Sequence, residues 1–272
     1  MNEYGFDMML ETPSAGVGLI RFKDEGRQNQ LCWAAVSQLA DYLDECVSRD
    51  LSVVVLASDN PGHWLEHAWL GDLCAGMEGK PTTGEGLGWV RCVNALSKPP
   101  LVSIAAISGN TCGGGCEIGW SCDLRVAEQT ALFAQPEVRL GITPGMGGVA
   151  RLEKLVGRTL ASEMVLSGEW VESERLYRAG AINKLVGPGE ALDVSLAWAS
   201  EIAAMPAATL HYCKQSLADV QELHLQPSLI KEQETFQLSA VDALQRMKQQ
   251  QTFYDAGGTT AESFQSESIQ KN

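Results

Sequence analysis

Two patterns of apolar and polar positions alternate along the chain. Residues 51–57 (LSVVVLA) and 101–107 (LVSIAAI) are short, continuous apolar runs, which are typical of strands buried in a parallel sheet. Around these runs, apolar residues recur at steps of three and four, the period of an amphipathic helix. One such helix is predicted by Trp33, Val36, Ala40, Leu43 and Val47, and another by residues 85–97, just before Pro99-Pro100. The alternation of strand and helix predicts an α/β fold.

Weaker signals predict the remaining elements. Residues 6–23 hold two apolar stretches separated by Pro13-Ser14-Ala15-Gly16, which indicates a hairpin. Short strands are predicted at 123–127, at 131–134 and near 182–186, and helix is predicted to dominate from about residue 146 onward. Residues 58–84 are rich in Gly, Pro, Trp and His, so we expect an irregular segment on the substrate side.

The predicted domain organisation has three parts. Residues 1–205 form the core with the active site, and residues 206–255 form a C-terminal helical segment punctuated by prolines. Residues 256–272 (AGGTTAESFQSESIQKN) are small and polar, a composition typical of a disordered tail.

Composition and charge exclude several classes of partner. The chain has 272 residues, of which 45% are apolar and 20% are charged, and these percentages are typical of globular proteins. A net charge of −14 argues against binding to nucleic acid or to an anionic membrane, because both are negatively charged and bind basic protein surfaces. No apolar run approaches the ~18 residues of a membrane span. The N-terminal residues MNEYGFDMML lack a basic leader, so we expect a cytoplasmic protein.

The eight cysteines are scattered, which differs from the dense spacing of a disulfide scaffold. We therefore expect reduced and mostly buried thiols. Cys112, Cys116 and Cys122 are close in sequence, but their spacing contains no C-x2-C pair and no histidine lies near them in sequence. No metal site is expected.

Candidate chemistry is concentrated in residues 101–148, where Glu117 and Glu137 each lie beside glycine-rich backbone. The run Gly113–Gly115 follows a predicted strand and opens a predicted helix, and free N–H groups at a helix start suit an anion or a developing oxyanion. A carboxylate three residues further on can act on a substrate whose carbonyl those groups hold, so the segment predicts acyl chemistry. Two structural alternatives stay open: a carboxylate that only complements the helix dipole, and glycines that only permit close packing.

Nucleotide-binding motifs are not matched. Gly109 and Gly114 have the spacing of a phosphate loop, but Gly115 stands where that motif requires lysine. Gly145, Gly147 and Ala150 imitate a dinucleotide fingerprint, yet no strand is predicted to lead into them.

Two long motifs closely resemble the signature of the crotonase (enoyl-CoA hydratase/isomerase) superfamily. They are SIAAISGNTCGGGCEIGWSCDLRVA (103–127) and FAQPEVRLGITPGMGG (133–148), and the wider similarity runs from about residue 15 to 215. The resemblance implies a crotonase fold, a spiral of ββα turns followed by a C-terminal helical segment used for trimerisation. It also implies a homotrimer or a hexamer.

The resemblance implies an acyl thioester of CoA, or of an acyl-carrier protein, as the substrate, with no other cofactor. Main-chain N–H groups of Ala68 and Gly114 are expected to hold the thioester oxygen. Glu117 is expected to activate water at C3 and Glu137 to deliver a proton to C2. Two supporting positions are also implied: Gly145, as a backbone donor near the water, and Gln135, which helps to orient the site.

The segment 63–73 (HWLEHAWLGDL) departs from the family pattern. Glu66 and His67 stand where alanine and glycine are usual, Trp69 replaces an aspartate, and Gly71 replaces a frequent lysine. The best local replacements for that lysine are Lys23 and Arg27. Trp64, Trp69 and Trp89 are expected to line the acyl pocket, with core or subunit-interface positions as the alternative, and such a lining favours a short, branched or cyclic acyl group. His67 is a candidate catalytic residue, with a structural or exposed position as the alternative.

Because both glutamates of the hydratase branch are present, as Glu117 and Glu137, the resemblance favours hydration or dehydration across C2=C3 of an enoyl thioester. Alternatives are double-bond isomerisation, which needs mainly the position of Glu137 with the oxyanion site, and decarboxylation, C–C cleavage or hydrolysis on the same scaffold. A non-catalytic binding role is the fourth possibility. The acyl group, the thioester carrier and the direction of reaction stay open.

Overall fold

The protein is described here by a computed structural model, which covers residues 6–222 and Ala256. The strands within these residues are β1 (Asp7–Ser14), β2 (Val17–Lys23), β3 (Val53–Ser58), β4 (Gly62–His63), β5 (Val102–Ile107), β6 (Gly109–Cys112), β7 (Leu124–Glu128), β8 (Leu132–Ala134), β9 (Val171–Glu172) and β10 (Lys184–Val186). The helices are α1 (Trp33–Ser48), α2 (Leu70–Met77), α3 (Leu87–Ser97), α4 (Gly114–Ser121), α5 (Ala150–Ser167), α6 (Ser173–Arg178), α7 (Ala191–Ala203) and α8 (Ala207–Glu222). A 3₁₀ turn covers Pro136–Leu140.

Two sheets are built by successive turns of the chain. The larger sheet has the order β1-β2-β3-β5-β7-β10, and the smaller sheet has the order β4-β6-β8-β9. The pairs β3–β4, β5–β6 and β7–β8 each contribute one strand to each sheet, which is the arrangement of a spiral of ββα turns. The predicted α/β fold is therefore confirmed.

Strands of the larger sheet pair in parallel, except for the β1–β2 hairpin. Leu19 lies opposite Val55, which in turn lies opposite Ile104, and all three are buried. Each fully buried side chain of this type contributes about 1.5–3 kcal/mol through the hydrophobic effect. The apolar runs of β3 and β5 are continuous because successive side chains, which point to opposite faces of the sheet, are buried on both faces.

Helix α1 packs its apolar stripe against the core and against α3. Its first turn receives a cap from a distant segment, because the Trp33 amide donates a hydrogen bond of 2.7 Å to Oδ2 of Asp72. The same carboxylate oxygen accepts the hydroxyl of Thr83 at 2.6 Å. Asp72 thus joins the start of α1 to α2 and to the loop that precedes α3.

Two local predictions were incomplete. Residues 58–84 are not wholly irregular, because they contain β4 and α2. The glycine run does not directly follow β5 either, since β6 lies between them and pairs with β4 and β8. Four-residue strands of mixed polarity carry little periodic signal, and pairing with distant strands is what forms them.

The chain divides into two compact units, Met1–Ile202 and Ala203–Asn272. Helix α8 belongs to the second unit. Most of the predicted helical segment 206–255 and the predicted tail lie outside the described residues, so that division and the trimerisation role stay predictions. In the part of the chain that the structure describes, every helix is too short or too polar to cross a membrane.

Candidate active site

The glycine turn before α4 brings two main-chain amides together. Gly113 has a φ of 51°, a region that favours glycine, and it redirects the chain from β6 into α4. A Cβ atom on Gly115 would overlap the carbonyl oxygen of Leu65, so the start of α4 lies directly against the segment 65–68. A Cβ on Gly114 would lie 3.2 Å from the amide nitrogen of Ala68. The glycines therefore allow a close approach that larger residues would prevent.

Ala68 is held in place by a short bridge to Leu31. The Leu31 amide donates to the carbonyl of His67 at 3.0 Å, and the Trp69 amide donates to the carbonyl of Leu31 at 2.9 Å. Among the residues that the structure describes, the amides of Ala68 and Gly114 donate no hydrogen bond to the protein. Two adjacent free donors of this kind can bind one oxygen atom.

Both amides lie at a cavity of about 500 Å³. Its polar side chains are His67, Glu117, Glu137, Arg139 and Thr143. Its larger apolar side chains include Trp33, Leu70, Leu73, Trp89, Leu140 and Met146. The cavity is thus an apolar chamber with two carboxylates beside a pair of free amides.

Glu117 projects from the first turn of α4 and is 5% exposed. Its Oε1 accepts hydrogen bonds from the amides of Met146 at 2.6 Å and Gly148 at 3.0 Å. Burial raises the pKa of Glu117 above its usual value, and the amides of Met146, Gly148 and Gly145 and the charge of Arg151 offset only part of that rise. The charged form of Glu117 is therefore supported by main-chain donors despite its burial.

Glu137 occupies a poorer environment for charge. It lies in the 3₁₀ turn, is 9% exposed, and its Oε1 accepts from Nε2 of Gln135 at 3.3 Å. Its Oε2 is buried without a hydrogen-bond partner among the described residues. Burial, together with the charge of Glu117, raises the pKa of Glu137 to about 7. Glu137 can therefore hold a proton near neutral pH.

The different environments give the two carboxylates different chemical capacities. Glu117, with its backbone donors, is suited to act as a base, and Glu137, with an unpartnered oxygen, is suited to act as an acid. Arg151 supports the loop that follows Glu137, because its Nη1 donates to the carbonyl of Met146 at 3.0 Å. Met146 is therefore bonded through its carbonyl to Arg151 and through its amide to Glu117.

The two predicted supporting residues also lie here. Gly145 lines the cavity, and its amide interacts with Glu117. Gln135 is fully buried, and its amide nitrogen contacts Glu137. The structure therefore groups Glu117, Glu137, Ala68 and Gly114 with both of them, and the roles assigned to all six stay predictions.

Three predicted substrate contacts do not line the cavity. Lys23 forms an ion pair with Glu25 at 2.6 Å. The guanidinium of Arg27 lies 4.7 Å from the ring centroid of Trp69, and the Trp69 ring itself packs against Gly71. A role for Lys23 and Arg27 toward the CoA part of a substrate, and for Trp69 toward its acyl group, stays a prediction.

Trp64 is fully buried, and its ring packs edge-on against Phe22. The expectation that Trp64 lines the acyl pocket was wrong, because its large ring completes the core instead. Trp89 does line the cavity, with its ring against Gly114.

The sequence did not predict several residues that line the cavity. Trp33, assigned only to the apolar stripe of α1, lines the cavity and packs beside Gly76. Arg139 and Leu140, next to Glu137, also line it. His67, which the sequence did mark as a candidate catalytic residue, also lines the cavity, and its Nδ1 lies 2.8 Å from the carbonyl oxygen of Ala68. A catalytic role for His67 stays a prediction. The sequence feature connected with this position of Trp33 is the pair Gly76 and Gly86, because the backbone of both lies close to the Trp33 ring.

Among the described residues, which include all eight cysteines, no disulfide is formed, and all cysteines but Cys74 and Cys213 are buried. Burial raises the pKa of the Cys116 thiol well above its usual range. Within residues 6–222, no group of three or more His, Cys, Asp or Glu side chains is arranged to hold a metal ion.

Comparison with known proteins identifies similar sequences. A family model described as enoyl-CoA hydratase/isomerase matches residues 12–257. A short-chain-enoyl-CoA hydratase of Clostridium acetobutylicum is 37% identical over 146 residues, which cover 54% of this chain and 55% of the relative. A 2,3-dehydroadipyl-CoA hydratase of Escherichia coli is 40% identical over 152 residues, which cover 56% of this chain and 58% of the relative. The chain thus spans just over half the length of these curated relatives.

Solved structures show the same fold over most of the chain. An enoyl-CoA hydratase subunit from Geobacillus kaustophilus superposes with a TM-score of 0.80 at 23% identity, covering 93% of this chain and 96% of the other. Pseudomonas aeruginosa DspI superposes with a TM-score of 0.76 at 27% identity, covering 87% and 96%. The ββα spiral is therefore shared at low sequence identity.

Proposed function

Since the chain belongs to the enoyl-CoA hydratase/isomerase family, we propose that it adds water across the C2=C3 bond of an enoyl thioester. The observation that carries this proposal is the presence of two chemically different carboxylates in one cavity. Glu117 is held by backbone donors, and Glu137 has a pKa raised to about 7. Hydration needs both a base and an acid, and this cavity holds one candidate for each.

The first requirement of hydration is stabilisation of charge on the thioester oxygen. The adjacent free amides of Ala68 and Gly114 are suited to bind that oxygen. As water attacks C3, electrons move toward C2 and onto the oxygen, giving an enolate-like state. Preorganised donors at this position typically lower the barrier by ~3 kcal/mol each.

The two glutamate side chains then carry out the proton transfers. The Glu117 carboxylate removes a proton from the attacking water, so that the hydroxyl oxygen bonds to C3. Protonated Glu137 delivers its proton to C2, and the C2=C3 bond becomes a single bond. Exchange of protons with solvent returns Glu117 to the charged form and Glu137 to the neutral form. The net change is the addition of one water molecule.

The cavity wall suggests the nature of the acyl group. Trp33, Trp89 and Leu73 present apolar surface, so the acyl group is itself apolar. The two indole rings favour a short, branched or cyclic group over a long straight chain. The names of two relatives, a short-chain-enoyl-CoA hydratase and a crotonyl-CoA hydratase, support crotonyl-CoA as the first substrate to test.

Conversion of crotonyl-CoA is the direct test of this proposal. Purified protein should remove the absorbance of the conjugated thioester and form 3-hydroxybutyryl-CoA, and Glu117→Gln and Glu137→Gln should each lower kcat about 10²- to 10⁴-fold. A fully active Glu117→Gln variant beside an inactive Glu137→Gln variant would favour isomerisation instead. Failure to bind or convert any acyl-CoA would refute the proposal.

A further inference from the structure

A buried carboxylate outside the acid pair lies beside the two free amides. Glu66 is 8% exposed and stands two residues before Ala68. Its side chain does not line the cavity, so it is not placed to touch a substrate. A buried carboxylate is costly unless it is hydrogen-bonded, and the partners of Glu66 therefore indicate what it does.

Both oxygens of Glu66 are engaged. Oε2 accepts a hydrogen bond from the thiol of Cys112 at 2.9 Å, and Oε1 lies 2.8 Å from Nδ1 of His63. Burial, followed by the charge of Glu66, raises the pKa of the Cys112 thiol, which therefore stays protonated and donates.

These contacts connect the two segments that carry the amides. Cys112 is the last residue of β6 and is followed directly by the Gly113 turn and by Gly114. Glu66 lies on the segment that ends in Ala68. The bond between Cys112 and Glu66 therefore joins the two segments at a point two residues from each amide.

We propose that Glu66 is a positioning residue, which fixes the spacing of the Ala68 and Gly114 amides by tying the segment before Ala68 to the end of β6. This inference rests on the proposed function, since it assigns that spacing to the binding of a thioester oxygen. A misplacement of about 1 Å at such a site can cost ~100-fold in rate. Glu66 acts through the main chain and contacts no reacting atom.

Other bonds hold the same segment, so loss of the carboxylate should leave the fold intact. The Trp64 amide donates to the carbonyl of Asn110 at 2.8 Å, and the Thr111 hydroxyl donates to the carbonyl of Leu65 at 2.6 Å. The Glu66 amide itself donates to the carbonyl of Asn29 at 3.1 Å. Removal of the side chain should therefore loosen the amide spacing without releasing the segment.

The test compares Glu66→Ala with Glu66→Gln, an isosteric amide that can still bond Cys112 and His63. Glu66→Ala should lower kcat for crotonyl-CoA about 10- to 100-fold with KM changed less than about threefold, and Glu66→Gln should stay within about threefold of the parent. Bound acetoacetyl-CoA provides a readout without turnover. Its enolate absorbance should fall in Glu66→Ala and be retained in Glu66→Gln, while the affinity for CoA alone stays unchanged.

Two further variants separate positioning from general stability. Cys112→Ala removes the same bond from the other side, together with the bond between the Cys112 sulfur and the main chain of His67. It should lower kcat at least as much as Glu66→Ala, which keeps the test decisive if Glu66→Ala does not fold. Glu128→Ala is a matched control, because Glu128 is 5% exposed and interacts with the amides of Gly189 and Ala191 rather than with the site. It should lower Tm and leave kcat and the enolate absorbance unchanged.

The outcomes distinguish this inference from the proposed function. If the parent protein converts crotonyl-CoA and Glu66→Ala retains its kcat and enolate absorbance, the positioning role is refuted and hydration stands. Equal impairment of Glu66→Gln and Glu66→Ala would also refute it. If the parent protein neither converts crotonyl-CoA nor binds acetoacetyl-CoA, both proposals are refuted.

Discussion

The Oε1 atom of Glu117 lies 2.6 Å from the amide nitrogen of Met146, which donates a hydrogen bond to it. This bond joins the helix that carries one acid to the loop that follows the other. It also gives the buried Glu117 carboxylate a donor that the unpartnered Oε2 of Glu137 lacks among the described residues. The contrast separates a group suited to removing a proton from a group suited to delivering one.

The pH dependence of hydration should follow the protonation of Glu137. Its pKa of about 7 means that the proton needed at C2 is lost as the pH rises past neutrality. We expect kcat/KM for crotonyl-CoA to fall about tenfold per pH unit above that value, as measured in initial rates between pH 6 and 9. A flat profile over this range would contradict the acid role of Glu137.

The same group should affect stability with a defined sign. The pKa of Glu137 is raised from an unfolded value near 4.3 to about 7 in the folded chain, so folding favours the protonated form. The resulting stabilisation is complete below about pH 4.3 and is lost as the pH rises through about 7. The Tm of Glu137→Gln relative to the parent should therefore be higher at pH 8 than at pH 5.

Thermal unfolding of both proteins at the two pH values measures this difference. Glu169→Gln is the control, because it removes the charge of an exposed acid that does not line the cavity. If the Tm difference between Glu137→Gln and the parent is the same at both pH values, burial does not shift the pKa of the Glu137 carboxyl group.

Substitution of Gly114 should damage the amide pair. A Cβ at this position would lie 2.6 Å from Cη2 of Trp89 and 3.2 Å from the amide nitrogen of Ala68, so the ring or the amides must move. We expect Gly114→Ala to lower kcat/KM for crotonyl-CoA at least ~100-fold. Gly26→Ala is the control, since its Cβ would make only an ordinary contact with Asp24, and it should retain full activity. Full activity of Gly114→Ala would exclude its amide from the oxygen-binding role.

Arg151 should influence the rate through Glu117. It donates to the carbonyl of Met146 at 3.0 Å, and its charge lowers the pKa of Glu117. Removal of that charge in Arg151→Leu should raise this pKa and make protonation of the base easier. The loss of kcat/KM should therefore be greater at pH 6 than at pH 8, and Arg151→Lys should restore part of it.

Initial rates for the Arg151 variants at several pH values provide the measurement. Arg158 is exposed on the same helix, and Arg158→Leu should show the parent profile at every pH. An equal loss for Arg151→Leu at pH 6 and pH 8 would indicate damage to the loop alone.

The amino-acid sequence was sufficient for the parts of the fold that depend on local periodicity. The hairpin of β1 and β2, helices α1 and α3, and strands β3 and β5 all lie close to the predicted ranges. Their signal is strong because an element buried on one or both faces must repeat apolar residues at its own period. The glycine run with Glu117 and the Pro136-Glu137 pair likewise pointed to the segment that forms the cavity.

Tertiary structure decided what depends on contacts between distant segments. It formed β6 by pairing with β4 and β8, brought Trp33 to the cavity, and buried Trp64 in the core. It also gave Glu117 and Glu137 their different environments and joined Glu66 to Cys112. Sequence alone therefore determined the strongly periodic elements and the candidate acids. Partners far apart in the chain set the burial, donors and spacing that control their chemistry, because local periodicity does not encode those contacts.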